Sequence, residues 1–144
     1  MLKSLTCLLV VAASIACMAP SQPSPAGGVS PTIQVQTGSE FDLVVNQQAV
    51  VEGTPLRIRF NGVSNESRCP SDVQCVWAGN AVVHLNLTST GNPGSDVALN
   101  TTLDPKSADY AGYRVTLVGL KPYPRSGSPI PAGDYVASLR VERR

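Results

Sequence analysis

The chain has 144 residues, a formal net charge of +1 and only 15% charged residues, against roughly 25% in ordinary soluble domains. The near-neutral charge and the lack of a basic cluster argue against a nucleic-acid partner, and the hydrophobic share of 42% argues against disorder. The length suits one modest domain with a short appendage, and the 12 glycines and 12 prolines indicate many turns.

The N-terminal residues have the organisation of an export signal. Lys3 gives a positive start, and residues 4–16 are almost all apolar or small. This run is shorter than the roughly twenty residues that cross a bilayer. We therefore predict that residues 1–16 are a signal peptide.

A lipid-anchor motif follows directly. Residues 13–17 read Ala-Ser-Ile-Ala-Cys and resemble the lipobox of bacterial lipoproteins, in which the cysteine is lipidated and becomes N-terminal. Ser14 stands where that motif usually has leucine, so cleavage without lipidation is the alternative. The resemblance implies a lipid anchor at Cys17 in the cell envelope, and Met18 in place of aspartate implies the outer membrane, facing the periplasm or the cell surface. Proline, serine and glycine dominate the rest of residues 17–31, which predicts a tether.

The cysteine count supports the anchor. Of the four cysteines, Cys7 leaves with the signal peptide. If Cys17 carries lipid, Cys69 and Cys75 remain and can pair. Without lipid, an exported protein would keep an odd thiol.

From residue 32 onward, apolar and polar residues alternate with a period of two, which predicts strands with one buried face. Residues rich in Gly, Pro, Asn and Asp separate these runs. The runs cover residues 33–36, 41–45, 56–61, 83–88, 97–103, 113–117 and 135–142. We predict that residues 32–144 form a single small all-β sandwich, immunoglobulin-like and of about seven strands, with a small β-barrel as the alternative.

The least random stretch is residues 67–79, which read S-R-C-P, four residues, C, one residue, W, one residue and G. It resembles a signature of small, mostly uncharacterised bacterial secreted and lipoprotein β-domains. The resemblance extends over most of residues 41–141 and implies a fold and a location, but no activity.

Export favours oxidation, so Cys69 and Cys75 are expected to form a disulfide worth about 2 kcal/mol. Zinc needs about four ligands, whereas the domain offers two cysteines and one histidine, so we predict no metal and no cofactor. Pro70 is expected to stiffen the loop and Asp72 to accept backbone amides. Trp77 is expected to begin the next strand, with its ring beside the disulfide.

A second stiff loop, the proline-rich loop of residues 121–131, contains Tyr123 and Arg125, which are residue types common at binding interfaces. We predict a non-enzymatic binding or structural module, with the membrane as a partner through the anchor and another envelope protein as a further partner. The candidate binding surface comprises Pro70, Asp72, Trp77, Tyr123 and Arg125.

Two alternatives stay open. The first is an inhibitor of secreted hydrolases, with Arg125 before Ser126 as its primary contact. The second is an unrecognised hydrolase that uses His84, the only histidine, with a carboxylate brought near it by the fold. Asp72, Asp104 and Asp109 are the carboxylates considered. We assign no catalytic residue, because no motif such as G-x-S-x-G is present.

Overall fold

The computed structural model describes residues 31–144. The predicted signal peptide (residues 1–16), Cys17 and the tether up to residue 30 lie outside these residues. Within the described part, the chain forms nine strands and no helix. Residues 31–144 therefore contain no helix that could span a membrane.

The nine strands form two sheets, and the predicted β-sandwich is confirmed. The five-stranded sheet has the order β1-β3-β4-β5-β6, and the four-stranded sheet has the order β2-β9-β8-β7. The two sheets stay separate, so the barrel alternative is wrong. The strands are β1 (Thr32–Val35), β2 (Glu40–Val44), β3 (Gln48–Val51), β4 (Arg57–Ser64), β5 (Val82–Ser89), β6 (Asn92–Asn100), β7 (Ser107–Tyr110), β8 (Tyr113–Lys121) and β9 (Val136–Arg143).

The alternating pattern explains the core. On each long strand every second side chain faces the opposite sheet, where burial of apolar area stabilises the fold. The largest fully buried side chains come from both sheets: Phe60, Leu43, Leu56, Ile58, Leu85, Leu87, Leu99, Leu139, Val51, Val83, Val115 and Val141. The sandwich therefore has one continuous hydrophobic core.

Three long connections lie at one end of the sandwich, which we call the loop end. They are residues 65–81 between β4 and β5, residues 101–106 between β6 and β7, and residues 122–135 between β8 and β9. Strand β4 runs toward this end, β3 is antiparallel to β4, and β1 is parallel to β3. Strand β1 therefore runs away from the loop end, and the chain enters the domain from the loop-end side.

The sequence predicted seven of the nine strands. It missed β3 and β7, whose sequences Gln-Ala-Val-Val and Ser-Ala-Asp-Tyr show no clear alternation of apolar and polar residues. The predicted strand over residues 97–103 ends at Asn100, because the Asn100 side chain donates to the carbonyls of Asp104 and Pro105 and the chain turns there.

Truncation of a core side chain should destabilise the sandwich. Phe60 on β4 is completely buried, so Phe60→Ala is expected to lower the free energy of unfolding by about 3–5 kcal/mol, through lost transfer energy and a residual cavity. Urea unfolding followed by far-UV circular dichroism measures this change. The control Val118→Ala, on an exposed side chain, should change it by less than about 0.5 kcal/mol. Equal midpoints for the two variants would contradict the core assignment.

Candidate binding surface at the loop end

The β4–β5 hairpin continues past the ends of its strands as an irregular two-stranded extension. The backbone amide of Ser67 donates to the carbonyl of Asn80 at 2.7 Å, and that of Cys69 donates to the carbonyl of Ala78 at 3.0 Å. The Ser67 hydroxyl also donates to the Asn80 carbonyl at 2.9 Å and accepts the Asn80 amide at 3.1 Å. Ser67 therefore uses both its backbone and its side chain to hold the base of the extension.

The predicted disulfide is confirmed at the tip of this extension. Cys69 and Cys75 are bonded, with their Cα atoms 5.9 Å apart. We call residues 69–78 the disulfide loop.

Gly79 is required where the two arms of the extension approach each other. Its φ is +68°, and a Cβ atom built there would lie 1.8 Å from the carbonyl oxygen of Ser67. Only glycine fits both the left-handed conformation and the close approach. The last position of the motif is thus explained by backbone packing.

Arg68 connects the disulfide loop to the other sheet. Its side chain is 4% exposed, and its Nε donates to both carboxylate oxygens of Glu66, at 2.9 and 3.0 Å. Nη1 donates to the Leu120 carbonyl at 2.6 Å, and Nη2 donates to the Pro122 carbonyl at 2.9 Å. The guanidinium also lies 5.1 Å from the centroid of the Tyr123 ring, a cation–π contact.

Sequence reasoning assigned no role to Arg68 or Glu66. The only signal for Arg68 was its place inside the motif of residues 67–79. A buried arginine whose partners are backbone carbonyls on a distant strand leaves no pattern in the local sequence.

Further hydrogen bonds join the disulfide loop to the proline-rich loop. The Ser71 amide donates to the Pro124 carbonyl at 2.9 Å, and the Ser126 amide donates to Oδ1 of Asp72 at 2.9 Å. Asp72 accepts a backbone amide as predicted, although the donor belongs to the other loop. This hydrogen bond lowers the pKa of the Asp72 carboxyl.

The opposite flank of the disulfide loop is held by Asn80. Its Oδ1 accepts the Thr102 amide at 3.0 Å, and its Nδ2 donates to Oδ1 of Asn100 at 2.8 Å. The disulfide loop is therefore fixed between the β6–β7 connection on one side and the proline-rich loop on the other.

The prediction for Trp77 is wrong. The next strand begins at Val82 rather than at Trp77, and the indole is 82% exposed instead of packed beside the disulfide. The physical reason is the left-handed bend at Gly79, which separates Trp77 from the regular strand. Val76, beside it, is 91% exposed.

The exposed apolar side chains are concentrated at the loop end. Trp77 and Leu103 border an apolar groove of about 450 Å³. Among the described residues, the large exposed hydrophobic side chains other than Val118 lie at this end of the sandwich: Val44, Val73, Val76, Trp77, Leu103 and Tyr123.

The structure brings together four of the five predicted surface residues. A cavity of about 560 Å³ lies between the disulfide loop and the proline-rich loop, and Pro70 and Arg125 line it with Glu66, Arg68 and Tyr135. The Asp72 carboxylate accepts a hydrogen bond across the same junction, and the Tyr123 ring lies against the Arg68 guanidinium.

The fifth residue, Trp77, lies elsewhere. It borders the separate groove with Leu103.

His84 lies apart from this surface, on the outer face of β5. Its Nε2 pairs with Oγ of Ser64 at 2.7 Å. Asp96 borders the same shallow depression, but its carboxylate accepts from the Asn86 side chain. In residues 31–144 no carboxylate hydrogen-bonds to His84, and no group of three or more His, Cys, Asp or Glu side chains is placed to hold a metal ion.

Of the carboxylates considered for His84, those of Asp109 and Asp72 are engaged in other contacts. Asp109 pairs with Arg114 at 2.8 Å and with Arg144 at 2.9 Å. Asp72 holds the Ser126 amide. The backbone carbonyl of Asp104 accepts from the Asn100 side chain.

The Arg68–Glu66 pair should make stability depend on pH. Burial alone would raise the pKa of Glu66, but the hydrogen bonds and charge of Arg68, with a hydrogen bond from Tyr135, hold it below its ordinary value. A lowered carboxyl pKa adds stability above its unfolded value of about 4.3, and this stability is lost as the pH falls through the folded value. Glu66→Gln should therefore destabilise the protein at pH 7 and lose less stability than the parent between pH 7 and pH 3. Urea midpoints at both pH values test this, and parallel losses in the two proteins would contradict it.

Substitution of Gly79 should damage the disulfide loop. Gly79→Ala places a methyl group against the Ser67 carbonyl. We therefore expect it to lower the free energy of unfolding more than the control below does, and to give a smaller fraction of oxidised protein after refolding than the parent gives. The matched control is Gly53→Ala, where φ is +69° but nothing lies within 4 Å of the added atom; it should cost about 1–2 kcal/mol and leave oxidation unchanged. Thiol labelling with mass detection and urea unfolding measure both effects. Equal behaviour of the two variants would show that close packing at Gly79 is unimportant.

Comparison with known proteins found no match. The chain matches no protein-family model, no curated protein and no solved structure. The family resemblance of residues 67–79 therefore stays a prediction.

Proposed function

We propose that the chain is a lipid-anchored protein of the cell envelope whose domain is a non-enzymatic binding or structural module, acting through the loop end. The observation that carries this proposal is the exposure of Trp77 on a loop that is otherwise firmly held. A folded chain gains nothing from a large indole in water, whereas aromatic side chains are frequent anchors of binding surfaces.

The rigidity of the loop end supports a binding role. The disulfide, the Arg68 contacts and the side chain of Asn80 each restrain the disulfide loop. A surface that is already ordered loses less conformational entropy when a partner binds. The exposed apolar side chains of the disulfide loop are thus already ordered before a partner binds.

The anchor proposal is supported by the N-terminal sequence. Residues 13–17 resemble a lipobox, and residues 18–31 supply a spacer before the domain. An envelope location is also consistent with a disulfide, because oxidising conditions are found outside the cytoplasm.

The inhibitor alternative has less geometric support. A protease binds the segment around its target bond in an extended conformation, as an added strand. In this chain the Arg125 carbonyl instead accepts the Ser128 amide at 3.1 Å in a tight turn, and the Ser126 amide is held by Asp72. The Arg125–Ser126 bond is therefore not presented as an extended substrate-like segment.

The hydrolase alternative rests on the Ser64–His84 pair. A serine nucleophile needs a histidine base that is itself oriented by a third group. Within the described residues no carboxylate hydrogen-bonds to His84, and its neighbour Asp96 is engaged by Asn86. The binding role is better supported.

The intact mass of the native protein tests the anchor. We expect a membrane-fraction species that begins at acylated Cys17 and gains the mass of two hydrogen atoms on reduction of the Cys69–Cys75 disulfide. The control Cys17→Ser should lack the mass of the acyl groups and keep the same disulfide. A soluble native species with an unmodified Cys17 would overturn the anchor.

A further inference from the structure

We infer that the loop end docks on the surface of a lipid bilayer, with Trp77 and Val76 entering its interfacial layer. This inference rests on the proposed function and names the partner of the same surface. It follows from the position of the apolar side chains, the direction in which the chain enters the domain and the charges around them.

The exposed apolar side chains are grouped at the loop end of the domain. Val76 and Trp77 are the two most exposed large hydrophobic residues of the described chain, and they are neighbours in the disulfide loop. Leu103 lies beside Trp77 across the groove. On the strands of the described chain, the exposed large hydrophobic side chains are Val118 of β8 and Val44 at the loop-end terminus of β2.

The anchored end of the chain emerges on the same side. Strand β1 pairs in parallel with β3 and begins on the loop-end side, where the Pro31 carbonyl accepts the Gln48 amide. Residues 18–31 separate Cys17 from β1, and at about 3.3 Å per residue they span at most about 45 Å. The chain therefore leaves the domain in the direction of the loop end, and residues 18–31 are long enough to let the loop end reach the bilayer that holds a lipid on Cys17.

The residue types fit a bilayer interface. Tryptophan and tyrosine are enriched at the headgroup level of membranes, where an amphipathic ring meets both lipid and water. Trp77 and Tyr123 supply such rings at the loop end, and Val76 adds an aliphatic side chain next to Trp77. The disulfide and the Arg68 contacts keep this group together without a partner.

The charges at the loop end predict a mode of binding that does not depend on anionic lipid. Among the described residues, five charged side chains of the three loop-end connections lie outside the ion pairs of the domain, two cations and three acids. They are Lys106, Arg125, Asp72, Asp104 and Asp134. A polybasic lipid site would need a cluster of four or more cations, so apolar contact should dominate.

The fluorescence of Trp77 tests the inference directly, because the chain has only one tryptophan. The probe is the chain from Cys17 to Arg144 with its disulfide oxidised, coupled through the Cys17 thiol to a maleimide lipid. The vesicles contain phosphatidylcholine, with or without phosphatidylglycerol, and doxyl-labelled phospholipids serve as quenchers. Chemical coupling supplies the anchor, so the result does not depend on whether Cys17 is lipidated in the cell.

We expect the Trp77 emission to shift to shorter wavelength on coupling. Doxyl groups near the headgroup should quench it more than doxyl groups near the chain end. Phosphatidylglycerol should change neither effect. Val76→Asp should abolish the shift and most of the quenching, whereas the matched control Val118→Asp, outside the loop end, should retain both; circular dichroism confirms that both variants fold.

Two outcomes would overturn the inference. In the first, Trp77 of the coupled protein emits as in the uncoupled protein and is not quenched. If the native protein is nevertheless acylated at Cys17, the proposed anchored binding module remains supported and only the contact with the bilayer is excluded. In the second, a photoreactive residue at position 76 in native membranes crosslinks to protein instead of lipid, which identifies a protein partner.

Discussion

The buried guanidinium of Arg68 is the interaction on which the loop end depends. It stands at the junction of the two sheets, where it binds the Glu66 carboxylate and the carbonyls of Leu120 and Pro122. A charge withdrawn from water is costly unless nearly all of its donors find acceptors. Arg68 meets this condition with charge-assisted bonds, which are the stronger kind. The geometry of arginine matters here, because its donors are spread over three nitrogen atoms, whereas a lysine ammonium would have to make all of its hydrogen bonds from one atom.

The disulfide alone would not produce this surface. It closes a ring with a sequence separation of only 6, so it orders the loop internally and leaves the orientation of the ring free. That orientation comes from Arg68 and Asp72 on one flank and from Asn80 on the other. The motif of residues 67–79 therefore combines covalent closure with attachment to the sandwich, and Trp77 is the motif position that none of these restraints requires.

The sequence predicted the parts of this molecule that depend on local pattern. Alternation identified seven strands and the sandwich, and cysteine counting identified the disulfide, because both leave a signal within a few residues. The joining of the two loops could not be predicted, since Arg68 and Leu120 are 52 positions apart and meet only through the packing of two sheets. Trp77 was misplaced for a related reason: its exposure follows from the bend at Gly79, whose conformation depends on the nearby Ser67 carbonyl.

The parallel pairing of β1 with β3 has a mechanical consequence. The four residue pairs from Thr32↔Gln48 to Val35↔Val51 lie in register, and tension applied through the residues before Thr32 acts along the strand axis. Such a load falls on all the β1–β3 hydrogen bonds together in shear, whereas a load perpendicular to the strand would break them one at a time. Strand β1 can therefore transmit force along its axis to the five-stranded sheet without separating from β3 one hydrogen bond at a time.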